Sequence, residues 1–261
     1  MITSTSNPKV KQTAALVKKA RFRKETGLFV VEGPKMFEEL PPDRLEEVYV
    51  TEAFYQNSSH KKILARAGRM EIVSKEVMRA MSDTQTPQGV LAVARQYRYT
   101  MADLVREDRP ALIMILETVQ DPGNLGTILR AGEGAGITGV LMDENTADIY
   151  NPKVIRSTMG SIYRVPFVTA AQLPQVLSSL KKQGIRLFAA HLDGKQDYDQ
   201  ADYKGNTGFL IGNESRGLSE ETAALADTLI KIPMEGNVES LNAAVAASVL
   251  MFESSRQRRN S

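Results

Sequence analysis

The sequence predicts an α/β protein of two domains: a small α/β domain, then a larger one with a mostly parallel sheet and helices on both faces. Three observations carry this expectation. Ala111-Leu-Ile-Met-Ile-Leu116 is an unbroken apolar run, the pattern of a strand buried on both faces. Further short apolar runs at residues 139–142, 185–190, 207–211 and 228–232 alternate with helical segments at 125–135, 173–182 and 219–226, as in a parallel sheet with crossover helices. Between residues 95 and 109 the chain turns polar and charged, which separates the two domains. The expected boundaries are 1–97, a linker at 98–109, and 110–261.

Bulk properties narrow the function. At 42% hydrophobic residues the composition is that of an ordinary globular protein, with no apolar run of membrane-spanning length. The first residues lack the apolar core of a signal peptide. The absence of cysteine excludes disulfides, thiolate catalysis and zinc–thiolate sites, and suits a cytoplasmic location. With His60 and His191 as the sole histidines, a histidine-rich metal site is excluded too. No metal and no membrane are expected as partners.

In order along the smaller domain, residues 7–24 read as one basic amphipathic helix, with Val10, Ala14, Leu16 and Val17 near its apolar side. Residues 27–31 form a short strand, and Glu32-Gly-Pro34 turns it into a helix through Leu40. Strands at 45–50, 70–73 and 88–94 alternate with helices at 60–67 and 75–81. Net charge is only +2, but residues 1–100 hold 17 Lys/Arg against 11 Asp/Glu, and the remainder 16 against 20. Lys9, Lys11, Lys18, Lys19, Arg21, Arg23 and Lys24 all precede the first acidic residue, Glu25. A solvated helix face has this composition as well, but a run so one-sided suits a nucleic-acid phosphate backbone better. Lys18, Lys19, Arg21 and Arg23 are the candidate RNA contacts.

Within the larger domain a glycine motif misleads. Gly134-Ala-Gly-Ile-Thr-Gly139 fits the dinucleotide pattern GxGxxG, which needs a strand before it and a helix after it. Here the helix comes first, so the glycines read as a helix C-terminal turn. No GxSxG occurs, and His191 with Asp193 lacks a nucleophile partner, so His191 reads as an ordinary strand-end residue. Asp193, Asp197, Asp199 and Asp202, interleaved with Tyr198, read as a polar loop and not a cation site.

Three stretches stand apart: Asp121-Pro-Gly-Asn-Leu-Gly-Thr-Ile-Leu-Arg130, Gly212-Asn-Glu-Ser-Arg-Gly-Leu218, and Ile232-Pro-Met-Glu-Gly-Asn-Val-Glu-Ser-Leu-Asn-Ala-Ala-Val-Ala-Ala247. The last leads through a loop into a helix expected from about Ser240, with Ser240 and Asn242 at a mouth where backbone N–H groups are unpaired. Taken alone, it could equally be a capped core helix after a turn. Together and in this order, the three resemble the motifs of the SpoU family of RNA ribose 2′-O-methyltransferases, in the SPOUT class. The resemblance covers roughly residues 112–253. Phe29-Val-Val-Glu-Gly33 and Ser82-Asp-Thr-Gln-Thr-Pro-Gln-Gly89 are similar to stretches of the substrate-binding domain that often precedes a SpoU domain.

The resemblance implies a trefoil-knotted sheet and S-adenosylmethionine as cofactor, bound by loops after adjacent strands. It assigns cofactor contacts to Gly212, Asn213, Gly217, Ile232, Met234, Ser240 and Leu241. It assigns catalytic roles to Asn124, Arg130, Glu214 and Asn242. Gly132 and Gly134 stand where the family more often has alanine, each weakening a helix by up to about 1 kcal/mol. The implied reaction is attack of a ribose 2′-hydroxyl on the sulfonium methyl, on ribosomal or transfer RNA, with ribosomal favoured. No histidine lies in the motifs; Arg130 is expected to hold a phosphate and stabilise the developing alkoxide, with Asn124, Glu214 and Asn242 fixing geometry. Without the motifs, Arg130 would read as an exposed helix arginine and Glu214 as a turn residue. A homodimer is implied, with residues 243–249 and Asn151-Pro-Lys-Val-Ile-Arg-Ser-Thr-Met-Gly160 as candidate surfaces. The alternative from another class is an RNA-binding protein of the same fold that has lost methylation.

Overall fold

The structure, a computed structural model, describes residues 1–260. In chain order the first elements are α1 (Pro8–Lys18), α2 (Ala20–Thr26), β1 (Leu28–Glu32), α3 (Pro34–Glu39), β2 (Leu45–Thr51), α4 (Glu52–Gln56), α5 (Lys61–Leu64), β3 (Met70–Val73), α6 (Lys75–Met81) and β4 (Val90–Arg95). There follow β5 (Leu112–Leu116), α7 (Pro122–Ala135), β6 (Gly139–Asp143), α8 (Pro152–Thr158), β7 (Phe167–Ala170), α9 (Leu173–Lys182), β8 (Arg186–Ala190), β9 (Gln196–Asp197), β10 (Thr207–Ile211), α10 (Glu220–Ala224), β11 (Thr228–Lys231) and α11 (Ala243–Arg259). Two compact units result. One joins Met1–Arg98 to Asp148–Tyr163, and the other holds Tyr99–Ala147 with the residues after Tyr163.

The first unit is built on a four-stranded sheet of order β1-β4-β2-β3, in which only β2 and β3 run parallel. Val10, Leu16 and Val17 of α1 and Val77, Met78 and Met81 of α6 pack with Val30, Tyr49 and Leu91 of the sheet. The single basic helix expected over 7–24 is two helices, broken at Lys19, whose backbone is extended (φ −124°, ψ 108°). Arg23 caps the break: its guanidinium donates to the carbonyls of Leu16 (2.6 Å) and Val17 (3.1 Å), acceptors of the last turn that a continuous helix would have paired. Although they come from the second half of the sequence, residues 148–163 belong to this unit. Tyr150 packs on Phe29 with ring centroids 4.8 Å apart, and the Tyr163 hydroxyl donates to the Met36 carbonyl at 3.0 Å.

The second unit is a seven-stranded sheet of order β7-β6-β5-β10-β8-β11-β9, and every pairing in it is parallel. One face buries Ile113, Ile115 and Leu210 against Leu173, Leu177 and Leu180 of α9. On the other, α11 packs on α7 and β10. Gly132 bears on one departure from the family pattern: a Cβ there would lie 2.4 Å from Ile137 Cδ1 and 3.3 Å from Met251 Sδ, so an alanine would force the Ile137 side chain in the turn after α7 to move. Gly136 caps α7 in a left-handed conformation (φ 83°), which is the helix-terminal turn expected of the false dinucleotide motif. Of the polar stretch 95–109, Met101–Leu104 forms a 3-10 helix whose Leu104 is fully buried. From β11, next to one edge of the sheet, the chain returns to the middle to form α11.

Candidate active site

Three loops leave the C-terminal ends of parallel strands, the edge where open α/β sheets bind ligands. After β5 the chain runs through residues 117–121 into α7, with Asp121 as N-cap: its carboxylate accepts from the Asn124 amide at 2.8 Å. After β10, Asn213 and Gly217 exchange two backbone hydrogen bonds (3.0 and 2.9 Å), closing a tight turn. Gly212 must be glycine, because a Cβ would come within 2.2 Å of Gly217 C and Leu218 N. After β11, residues 232–242 lead to α11. That helix begins at Ala243 and not near Ser240, because Asn242 is the N-cap and accepts from the amides of Ala244 (2.9 Å) and Val245 (3.3 Å).

Side chains from the three loops form one hydrogen-bonded relay. Asn242 Nδ2 donates to Asn124 Oδ1 (2.9 Å), and Asn124 Nδ2 donates to Glu214 Oε1 (2.9 Å). Glu214 also accepts from the backbone amides of Asp121 (3.1 Å) and Gln120 (3.3 Å). Burial acts to raise the Glu214 pKa, but the donors from Asn124, Asp121 and Gln120 outweigh it and hold the carboxyl below the ordinary glutamate range. It is a charged clamp with its acceptors in use. Arg130 differs: it stands exposed on α7, about 9 Å along the axis from Asn124 at helical rise. Among the described residues it has no hydrogen-bond or ion-pair partner.

Ile232, Met234 and Leu241 are half-buried and Ser240 is exposed. From Pro233 to Leu241 no main-chain amide or carbonyl has a partner among the described residues. Apolar side chains beside unpaired main-chain groups fit a ligand with an aromatic base, a ribose and an amino-acid tail, and no phosphate. A fourth loop at this edge carries no sequence motif and is missed by motif reading. The turn at residues 191–194 follows β8: the His191 amide donates to the Ile230 carbonyl at 2.9 Å, and a Cβ on Gly194 would lie 2.6 Å from Ile230 C. Its one signal in the sequence is the apolar run before it, which marks a parallel strand whose C-terminal end must lie at the ligand edge. No group of three or more metal-ligating side chains occurs among the described residues.

The basic candidates fare unequally. Lys18, Lys19 and Arg21 are exposed, as are Lys11 and Lys24. Arg23 is a correction: it is 3% exposed, with Nε donating to Asp148 at 2.9 Å beside its bonds to the α1 carbonyls. A guanidinium so enclosed holds the fold: four of its five N–H groups are bonded within it, and its burial keeps it from a phosphate. Likewise, α11 turns Ala243, Ala244 and Ala247 inward, so these small residues serve packing within the chain.

Comparison with known proteins agrees with this geometry. Residues 111–252, more than half of the chain, match the SpoU rRNA Methylase family, and residues 7–92 match the MRM3-like substrate binding domain. A 23S rRNA (guanosine(2553)-2'-O)-methyltransferase, RlmP, from Bacillus subtilis is 30% identical over 96% of this chain and 97% of its own length. A 23S rRNA (guanosine-2'-O-)-methyltransferase, RlmB, from Xanthomonas campestris is 34% identical over 83% of this chain and 90% of its own. Among solved structures, the SpoU methyltransferase AviRb from Streptomyces viridochromogenes in complex with AdoMet has a TM-score of 0.88 at 26% identity, covering 98% of this chain and 99% of that one. An AdoMet-bound rRNA methyltransferase from Sinorhizobium meliloti has a TM-score of 0.84 at 31% identity, covering 98% and 97%. With its motif loops joined by one relay and its relatives matched along nearly their whole length, the chain belongs to the SpoU rRNA methylase family.

Proposed function

We propose that this protein is an S-adenosylmethionine-dependent methyltransferase acting on a ribose 2′-hydroxyl of ribosomal RNA. The observation that carries the reading is the relay Asn242–Asn124–Glu214, which joins the three motif loops on the helix that also carries the exposed Arg130. The bound cofactor supplies a methyl group already activated by the sulfonium. What remains for the protein is to hold the hydroxyl in line and favour its deprotonated form. Arg130 holds the adjacent phosphate and stabilises developing negative charge. Asn124, Glu214 and Asn242 keep their places for geometry, since their polar atoms are already bonded to one another and to backbone amides. Gly212, Asn213 and Gly217 shape one wall of the cofactor pocket, and Ile232, Met234, Ser240 and Leu241 another. The turn at 191–194 adds a third.

Residues 1–97, joined in one compact unit by 148–163, serve as the RNA-binding domain, and the rest of 110–261 as the methyltransferase domain, to whose unit nearly all of the expected linker 98–109 belongs. Lys18, Lys19 and Arg21 contact the RNA backbone. The enzyme acts as a homodimer through the outer face of α11, where Val245 and Phe252 are 49% and 46% exposed. No helix among the described residues is long and apolar enough to cross a membrane; an RNA substrate and the lack of cysteine support a cytoplasmic location. The test is transfer of a labelled methyl group from S-adenosylmethionine to ribosomal RNA, with the 2′-O-methyl position mapped in RNA from a deletion strain. Cofactor binding without transfer to any ribosomal or transfer RNA sinks the reading, and absence of both leaves the RNA-binding alternative.

A further inference from the structure

At the C-terminal end of β5, Thr118 has φ +56°. For a β-branched residue the left-handed region is a genuine outlier, and it persists only where the surroundings over-determine it. Here they do. The Thr118 amide donates to Asp143 Oδ1 and its hydroxyl to Asp143 Oδ2, both at 2.8 Å. The Thr118 carbonyl accepts from Asn213 Nδ2 at 2.9 Å. Asp143, itself buried at the end of β6, also accepts from the amide (2.9 Å) and hydroxyl (2.6 Å) of Thr146. Burial pushes its pKa upward, but these four donors prevail and keep it below the ordinary aspartate range.

What this turn aims lies on both sides of it. Asn213 hangs from the Thr118 carbonyl and closes the turn to Gly217, while the next residues deliver the Gln120 and Asp121 amides to Glu214. We propose that Asp143 and Thr118 are positioning residues for cofactor capture: the Asp143 carboxylate holds Thr118 in a left-handed turn, and the turn sets the Asn213 loop and the Glu214 clamp. A glycine would take this φ freely but would leave the turn mobile. Threonine accepts the strain in exchange for a second anchor, which keeps the loop ordered before any ligand arrives. The proposal rests on the methyltransferase reading above.

The experiment is calorimetry of S-adenosylmethionine with the full-length protein and four variants. Asp143→Asn must turn an amide donor toward donors already present, and it weakens cofactor affinity by a factor on the order of 10 or more. Thr118→Val keeps the strain and loses the anchor, with a similar loss. Thr118→Gly, which needs no anchor to hold φ, loses less than Thr118→Val. Combined with Asp143→Asn, Thr118→Gly restores affinity several-fold relative to Asp143→Asn alone. A pair of side chains with a merely structural role gives the opposite: equal losses in Val and Gly, and a double variant worse than either single one. Either of those results overturns the proposal. If Asp143→Asn does not fold, the Val–Gly comparison at 118 decides. Wild-type protein that fails to bind the cofactor overturns the methyltransferase reading and this proposal together, whereas variants that bind like wild type overturn the proposal alone.

Discussion

Arg130 and Asn124 share α7 but stand in opposite circumstances. Asn124 is buried with both polar ends of its side chain bonded, while Arg130 is exposed without a partner among the described residues. If Arg130 acts on phosphate and alkoxide, its contribution appears in the transition state. Arg130→Ala is expected to lower single-turnover methyl transfer by a factor on the order of 10² to 10³, with cofactor affinity barely changed. Arg130→Lys should rescue poorly, because an ammonium lacks the planar two-pronged contact. Near-normal turnover in Arg130→Ala, or failure through cofactor loss, contradicts the role. Glu214 and Asp143 lead to a pH prediction. Both folded pKa values are depressed, so their stabilisation is complete above the unfolded-state pKa of about 4 and is lost as pH falls through the lower folded values. Cofactor affinity should therefore hold from pH 7 down to about 5 and fall only in stronger acid. Calorimetry at stepped pH checks this; a loss centred near neutrality would point to another titrating group.

At the scale of elements, the break between α1 and α2 sorts the basic run into two kinds of residue. Lys18, Lys19 and Arg21 face solvent, whereas Arg23 ties α1, α2 and Asp148 together. Replacing Lys18, Lys19 and Arg21 by Ala should weaken RNA binding and flatten its dependence on log salt by up to about 2 to 3 units of slope, at roughly 0.7 to 0.9 per phosphate contact. Stability and cofactor binding should be unchanged. Unaltered RNA affinity at low salt would make the run a solvated face. Arg23→Ala should behave in reverse: it leaves Asp148 Oδ2 and two helix-end carbonyls without their donor and should cost about 3 kcal/mol in urea unfolding, apart from any RNA effect.

For the molecule as a whole, the proposed homodimer turns on the outer face of α11. Its inner face is spent on α7 and β10, yet Val245 and Phe252, seven residues apart and so near one another on the helix, remain half-exposed. Gly134 of α7 lies beside Phe252: a Cβ there would be 3.7 Å from Phe252 Cζ. At that distance a Cβ makes ordinary contact, so the structure gives no reason for this other departure from the family pattern. A second copy of the chain covering it predicts that Phe252→Asp raises the dimer dissociation constant on the order of 30-fold, the equivalent of about 2 kcal/mol of lost apolar burial. Light scattering across a concentration series measures this. A wild-type protein that is monomeric at micromolar concentration and fully active rules the dimer out.

The α/β class, the buried central strands and the turn at Gly136 were legible in the sequence, because each depends on residues adjacent along the chain. The run at Leu112–Leu116 could scarcely be anything but an interior strand. The sequence also carried the three motif stretches that identify the family. Strands β7 and β9 escaped notice, one with a half-buried pattern and the other two residues long. The remainder was decided by tertiary structure, since it depends on partners far apart in sequence. Arg23 could not be known as a buried staple until Asp148, 125 residues away, was placed against it. Asn124, Glu214 and Asn242 could be named one by one, but their relay spans separations of 90 and 118 residues. Thr118 gave no sign at all, because its left-handed backbone is imposed by Asp143, at the end of β6, and Asn213, just after β10, which meet β5 only when the sheet has formed.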